Sequence, residues 1–239
     1  MSWLLATSAL AGEWPAWRGP RGDGVSEETN VPVRWSGSEN VAWKTAIPGW
    51  GHSSPIIWGD RVFVTTYVEQ GGRRVLLCLD RLTGKLLWEK TVLTAKPEKK
   101  NNLNSYASGT PATDGKRVWV TFLQAPDTVG VSYVPSPIAH GNHFFVVSDR
   151  GLASCFEAKT GKRMWQQKLG RHHSASAVAA GGNVYFLDDD GKMFVLKAGP
   201  KFELIAKNEL GEECYASPAI SHGRFFIRTL GNLYCIGTP

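Results

Sequence analysis

The strongest constraint on this chain is that it repeats itself. Five segments, 54–64, 110–120, 136–146, 176–186 and 217–227, share one plan. Each has a small residue or Pro, four or five further residues, a Gly, and then aromatic and β-branched residues. The first reads Ser-Pro-Ile-Ile-Trp-Gly-Asp-Arg-Val-Phe-Val and the last Ser-Pro-Ala-Ile-Ser-His-Gly-Arg-Phe-Phe-Ile. Such a segment reads as strand, Gly-containing tight turn, strand.

A second element follows in two of the units. Segments 78–88 and 155–165 agree at Cys78 and Cys155, Thr83 and Thr160, Gly84 and Gly161, Lys85 and Lys162, and Trp88 and Trp165. A worn copy lies at 195–205. Here one strand ends, Thr-Gly-Lys turns the chain, and an outer strand carries the Trp. Gly supplies the positive φ of the turn, while the indole can cover the gap to the next unit. Each unit is therefore four antiparallel strands. Taking Pro55, Pro111, Pro137, Ala177 and Pro218 as equivalent gives intervals of 56, 26, 40 and 41 residues. About 40 residues per four-stranded unit is the β-propeller spacing.

Two intervals depart from that spacing. The longest holds a polar insertion at 94–108, read as a loop, and the shortest lacks room for four strands. Material is missing between Phe122 and Ser136, and 128–133 is the one segment that can serve the second unit as an outer strand. The last unit offers only three strands, at 218–221, 224–228 and 232–237, whereas 40–46 matches the outer strands of the other units. The expectation is all-β: a propeller of about five four-stranded blades, one truncated, closed by pairing of the N-terminal strand with the C-terminal blade. Such closure also removes an exposed sheet edge. An open arc and two chains sharing one ring are the alternatives, so the chain is expected as a monomer or a ring-completing dimer.

Composition supports a single packed domain over 12–239. The chain has 239 residues, 42% hydrophobic and 20% charged, enough to bury about 70% of its unfolded surface without disulfides or metals. No apolar run approaches the roughly 20 residues of a membrane-spanning helix. The net charge of +6 is scattered rather than gathered in a stripe, so a nucleic-acid partner is not expected. Residues 1–11 read as a residual signal peptide, with Ala9 and Ala11 forming a small-x-small cleavage site. That points to export, to the periplasm or the cell surface.

Cys78, Cys155 and Cys235 share one place on the third strand of different units. Equivalent positions on neighbouring units lie beyond the ~7 Å Cα limit of a disulfide, so these thiols read as small buried hydrophobes. The loops leading into the inner strands converge on one mouth of the channel. They carry Trp50, His52, Tyr106, Tyr133, His172, His173, Glu213, Cys214 and Tyr215. Hairpin turns at the same end bring Arg73, Arg74, Asp149, Arg150, Asp188, Asp189 and Asp190. Aromatics and His at a channel mouth form a candidate binding face; the plainer reading is that large residues plug the channel. Neighbouring His172 and His173 point opposite ways on an extended chain and make a poor metal site. The Asp triplet lacks the calcium-loop ligand spacing and reads as a turn. No G-x-S-x-G motif and no assignable carboxylate pair occurs. No catalytic, cofactor-binding or metal-ligating residue is assigned.

The Asp/Glu-x-x-Thr-Gly-Lys-x-x-Trp element with its Ser-Pro-x-x-x-x-Gly strands resembles the PQQ-like (quinoprotein-type) β-propeller repeat family and its BamB-like secreted members. The opening Trp-Pro-Ala-Trp-Arg-Gly-Pro-Arg-Gly-Asp-Gly-Val-Ser at 14–26 is similar to the N-terminal motif of secreted proteins of that kind. The family usually closes seven or eight blades, so the resemblance implies loss of central blades, with the join at 123–133. It also implies a non-catalytic scaffold of the cell envelope that takes protein or peptide partners in envelope-protein assembly. One alternative is a PQQ-dependent quinoprotein-type oxidoreductase using calcium. Such enzymes of the family use adjacent cysteines, which this chain lacks, so no cofactor is expected. The other alternative is a degenerate truncated propeller without retained activity.

Overall fold

A computed structural model describes residues 12–96, 105–120, 122, 136, 138–148 and 150–237. Their regular structure is entirely β. Strand β1 (Val41–Ala46) precedes a first unit of β2 (Ile56–Trp58), β3 (Arg61–Val68), β4 (Arg73–Asp80) and β5 (Leu86–Thr94). In a second unit the described residues form β6 (Ala112–Thr113) and β7 (Val118–Trp119). The third holds β8 (Ile138–His140), β9 (His143–Val147), β10 (Leu152–Glu157) and β11 (Arg163–Lys168). The fourth holds β12 (Val178–Ala180), β13 (Asn183–Leu187), β14 (Lys192–Lys197) and β15 (Leu204–Glu209), and the fifth β16 (Ala219–Ser221), β17 (Arg224–Arg228) and β18 (Asn232–Ile236).

Four sheets are four-stranded and antiparallel, and β6–β7 form a two-stranded one. The fifth unit takes its outer strand from the other end of the chain, in the order β1-β18-β17-β16. In the second unit, expected as the truncated one, two strands are described, and its expected outer strand at 128–133 lies outside the described residues. The signal-like segment 1–11 lies outside them as well.

One packing rule explains both the repeated Cys and the repeated Trp. Cys78 stands in register between Phe63 and Trp88, Cys155 between Phe145 and Trp165, and Cys235 between Phe226 and Trp43. A small, apolar thiol fits between two aromatic rings across a sheet row, where a larger side chain would push them apart. All four cysteines are free and buried. The residue preceding each Trp is bulged out of the ladder (Leu87, Met164 and Ala42). Such bulges also spoil the outer edges as templates for another strand. In the fourth unit the row is Tyr185, Val195 and Ala206, without a Trp. There Trp35 of the N-terminal segment packs on Phe225 at 5.5 Å, and its backbone N–H donates to Asn208 Oδ1 at 2.9 Å.

The first residues of the five repeats form a belt between units. Ser136 N–H donates to Ser176 Oγ (3.0 Å), Ser176 N–H to Ser217 Oγ (3.0 Å), Ser217 N–H to Ser54 Oγ (3.1 Å) and Ser54 N–H to Thr110 Oγ1 (3.0 Å). Each hydroxyl thus satisfies a backbone donor of the preceding unit that no ladder partner serves. These bonds link the third unit to the fourth, the fourth to the fifth, the fifth to the first and the first to the second.

The N-terminal segment straps the opposite ends of the inner strands. Trp14 exchanges backbone bonds with Ile57 of β2 (3.0 and 2.9 Å), and Thr113 N–H donates to Pro15 O (2.9 Å). Further along, Ser26 N–H donates to Ala179 O of β12 (2.9 Å), and Glu28 Oε1 accepts from His222 N–H (3.0 Å). This strap leaves the other ends of β2 and β16, with their preceding loops, to carry the candidate site.

Candidate functional site

The loop between β1 and β2 is held by close backbone approach. Trp50 and Tyr67 exchange backbone hydrogen bonds at 3.1 and 2.9 Å, and His52 N–H donates to Ala107 O at 3.1 Å. Gly49 makes this possible: its φ is +71°, and a Cβ there would sit 2.1 Å from Tyr67 O. The result is a chain of touching rings. Trp50 meets Tyr67 edge-on at 5.9 Å, Tyr106 at 6.0 Å and His52 at 6.5 Å; Tyr67 meets Tyr106 at 4.7 Å, and His52 meets Tyr215 at 4.9 Å.

This cluster unites four of the expected mouth residues, Trp50, His52, Tyr106 and Tyr215, from three separate loops. It adds Tyr67, which the sequence analysis missed; the signal was an aromatic three residues beyond the repeat at the end of β3. The Arg74 guanidinium lies over the Tyr106 ring, 5.5 Å from its centroid. Glu213 accepts a hydrogen bond from the Tyr215 hydroxyl at 3.0 Å. Burial, and then the neighbouring Glu213 carboxylate, push that phenol up to about 12.

His172 and His173 fare differently. His172 Nδ1 meets Asp189 Oδ2 at 2.6 Å, and Asp189 also accepts from Ser174 N–H at 2.7 Å. His173, placed at the mouth by the sequence analysis, is instead fully buried beside Phe194, with ring centroids 6.3 Å apart. The physical reason is the alternation that was expected to split the pair, taken one step further: if one ring faces water, the next faces the core. Tyr133 and Asp149 lie outside the described residues. Asp188 is buried, its Oδ1 accepting from Lys192 N–H at 2.8 Å inside the turn, and burial raises its pKa. Among the described residues no group of three His, Cys, Asp or Glu side chains is placed to hold a metal.

Burial, then the charges of His172 and Lys168, lower the His173 pKa to about 4. An unfolded histidine titrates near 6.5. Between these values the unfolded chain binds the extra proton, so the folded state loses stability as pH falls from about 6.5 towards 4. His173→Leu is expected to flatten this part of the melting-temperature profile while leaving the values above pH 7 within a few degrees. A profile unchanged by the substitution would assign the acid sensitivity elsewhere.

The repeat-motif residues lie in the turns and at the outer strands of the first and third units. Thr83 N–H and Oγ1–H both donate to Asp80 Oδ1 (2.8 and 2.7 Å), which shapes the turn, and the Thr160 hydroxyl donates to Glu157 Oε2. Lys85 and Lys162 are exposed. Trp165 Nε1–H crosses to Gly199 O of the fourth unit at 3.1 Å, as an inter-unit cover should. Trp88 packs on Phe63 and stays 39% exposed.

A family model described as "Outer membrane protein assembly factor BamB" matches residues 33–107, 103–200 and 149–235. The chain belongs to this BamB-type, PQQ-like repeat family. A curated BamB-type relative, outer membrane protein assembly factor BamB of Burkholderia pseudomallei (strain K96243), is 30% identical over 121 residues, covering 50% of this chain and 30% of the relative. The crystal structure of BamB from Moraxella catarrhalis aligns with a TM-score of 0.38 at 16% identity, over 79% of this chain and 58% of that one. A europium-containing methanol dehydrogenase aligns with a TM-score of 0.31 at 13% identity, over 85% of this chain and 32% of that one. This BamB-type chain thus spans less than two thirds of the length of each. Among the described residues no helix is long and apolar enough to cross a membrane.

Proposed function

We propose that this chain is a binding scaffold of the cell envelope that docks protein or peptide partners on its aromatic face. The observation that carries this reading is the ring chain Trp50, His52, Tyr67, Tyr106 and Tyr215, assembled from separate loops at one end of the inner strands. Tyr and Trp offer large apolar area with a polar tip and little rotamer freedom to lose, which suits them to protein contacts. The name of the matched family supports a role in outer-membrane protein assembly. In this reading the five units form one ring: four hydroxyl links run from the third unit through the fourth, fifth and first to the second, and β1 pairs with β18 of the last unit. Export to the periplasm or cell surface completes it.

Binding of the full chain to an array of extended peptides tests the reading. Trp50→Ala is expected to weaken the retained peptides at least tenfold, with an unchanged melting temperature as the control. Undiminished binding by Trp50→Ala would move the docking surface off this face.

A further inference from the structure

Arg74 is 2% exposed, and Tyr67 directly opposite it in the β3–β4 ladder is equally buried. Opposed residues of an antiparallel pair project from the same face of the sheet. Both lie against Tyr106, with Tyr67 at 4.7 Å between ring centroids and the Arg74 guanidinium at 5.5 Å. Among the described residues Arg74 Nε has no hydrogen-bond partner, and neither has the Tyr67 hydroxyl. No carboxylate forms an ion pair with Arg74 there. Arg81 shows how the same sheet otherwise treats a buried guanidinium: its Nε–H donates to Gly59 O at 2.9 Å and its Nη2–H to Asp60 Oδ1 at 3.1 Å. A buried cation and a buried hydroxyl left without acceptors are unfavourable unless an acceptor arrives from outside.

We infer that the aromatic face recognises a carboxylate, the acidic side chain of an extended peptide partner. Arg74 and the Tyr67 hydroxyl donate to its oxygens, while Trp50 and Tyr106 pack the apolar residues beside it. The inference rests on the docking reading above and names the chemistry of the partner. One planar guanidinium fork matches one carboxylate. A phosphate of nearly double charge draws on a cluster of arginines. The neighbouring Arg73 is half-buried and turned to Glu89 Oε1 at 3.5 Å and Thr91 Oγ1 at 3.4 Å.

The test is a ¹H–¹⁵N NMR titration of the full chain with the capped tripeptide acetyl-Leu-Glu-Leu-amide, its neutral Gln counterpart, and inorganic phosphate. The Glu peptide is expected to bind at least tenfold tighter than the Gln peptide. Arg74→Gln should abolish that ratio, Arg74→Lys should restore only part of it, and Tyr67→Phe should reduce it about threefold. Tyr67→Phe keeps the ring packing, so it serves even if the Arg74 variants fail to fold. Equal binding of the two peptides overturns the carboxylate inference and leaves peptide docking standing; binding of neither overturns both. Phosphate competing as well as the Glu peptide overturns the inference in favour of a phosphorylated partner. A Glu/Gln ratio that survives both Arg74→Gln and Tyr67→Phe overturns the assignment of the donors.

Discussion

Trp43→Ala is expected to lower the unfolding free energy by about 3–5 kcal/mol, the usual cost of emptying a buried Trp or Phe site. Trp43 is only 9% exposed although it sits on β1, the outer strand of its sheet. Its ring packs on Phe226 at 6.0 Å, and its Nε1–H donates to Arg81 O of the first unit at 2.9 Å. One side chain thus joins the strand that completes the fifth unit to the turn of the first. Removing it opens a cavity there and leaves the Arg81 carbonyl without that donor. For a chain of this size the loss corresponds to a fall of roughly 10 °C in melting temperature. Urea denaturation checks the free energy directly. Trp119→Ala is the control: that ring is 50% exposed and its loss should change stability by no more than about 0.5 kcal/mol. Equal effects of the two substitutions would show that Trp43 does not hold the joint.

The second large effect separates two glycines that the repeat makes equivalent. Gly84 and Gly161 have nearly the same backbone, with φ of +71° and +72°. In Gly161→Ala the new methyl meets nothing within 4 Å, so only the left-handed conformation is penalised, by about 1 kcal/mol. In Gly84→Ala the methyl would sit 2.4 Å from Trp43 Cε3 and 2.6 Å from Thr45 Oγ1. Overpacking of that kind adds about 1–3 kcal/mol, for a total of about 3 kcal/mol. Both are read from urea midpoints at constant m-value. In a Trp43→Ala background the penalty of Gly84→Ala should shrink but stay above that of Gly161→Ala, because the indole atoms it strikes are gone while Thr45 Oγ1 remains. Identical costs for the two glycines in the wild-type background would refute the packing account.

Much of the architecture was legible because it rests on local, repeated chemistry. The turn signals placed β2–β3, β12–β13 and β16–β17, and the Thr-Gly-Lys-x-x-Trp element placed β4–β5 and β10–β11. The match of 40–46 to the outer strands led to β1 beside β18. The second unit resisted, since its interval departs from the repeat and periodicity has nothing to extrapolate there. Within the site, the loops carrying Trp50, His52, Tyr106 and Tyr215 could be placed at one end of the units, because strand polarity alone does that. Tyr67 was overlooked, and His173 was placed at the channel mouth although it is buried. Its facing depends on how the loop from β11 to β12 lies against Phe194.

By itself, the sequence determined the strand count and turn chemistry of each complete unit, the repeated Cys and Trp positions, and the pairing of the chain's N-terminal strand with its last unit. These follow from side-chain alternation and turn preferences within some ten residues, which every copy of the repeat carries. Only the tertiary structure decided that Gly84 is crowded while Gly161 is free, that Trp35 covers the unit lacking its own Trp, and that Arg74 and Tyr67 are buried without acceptors. Those properties depend on what a neighbouring unit or a distant segment places against the residue, and identical local sequence in two units carries no record of their different neighbours.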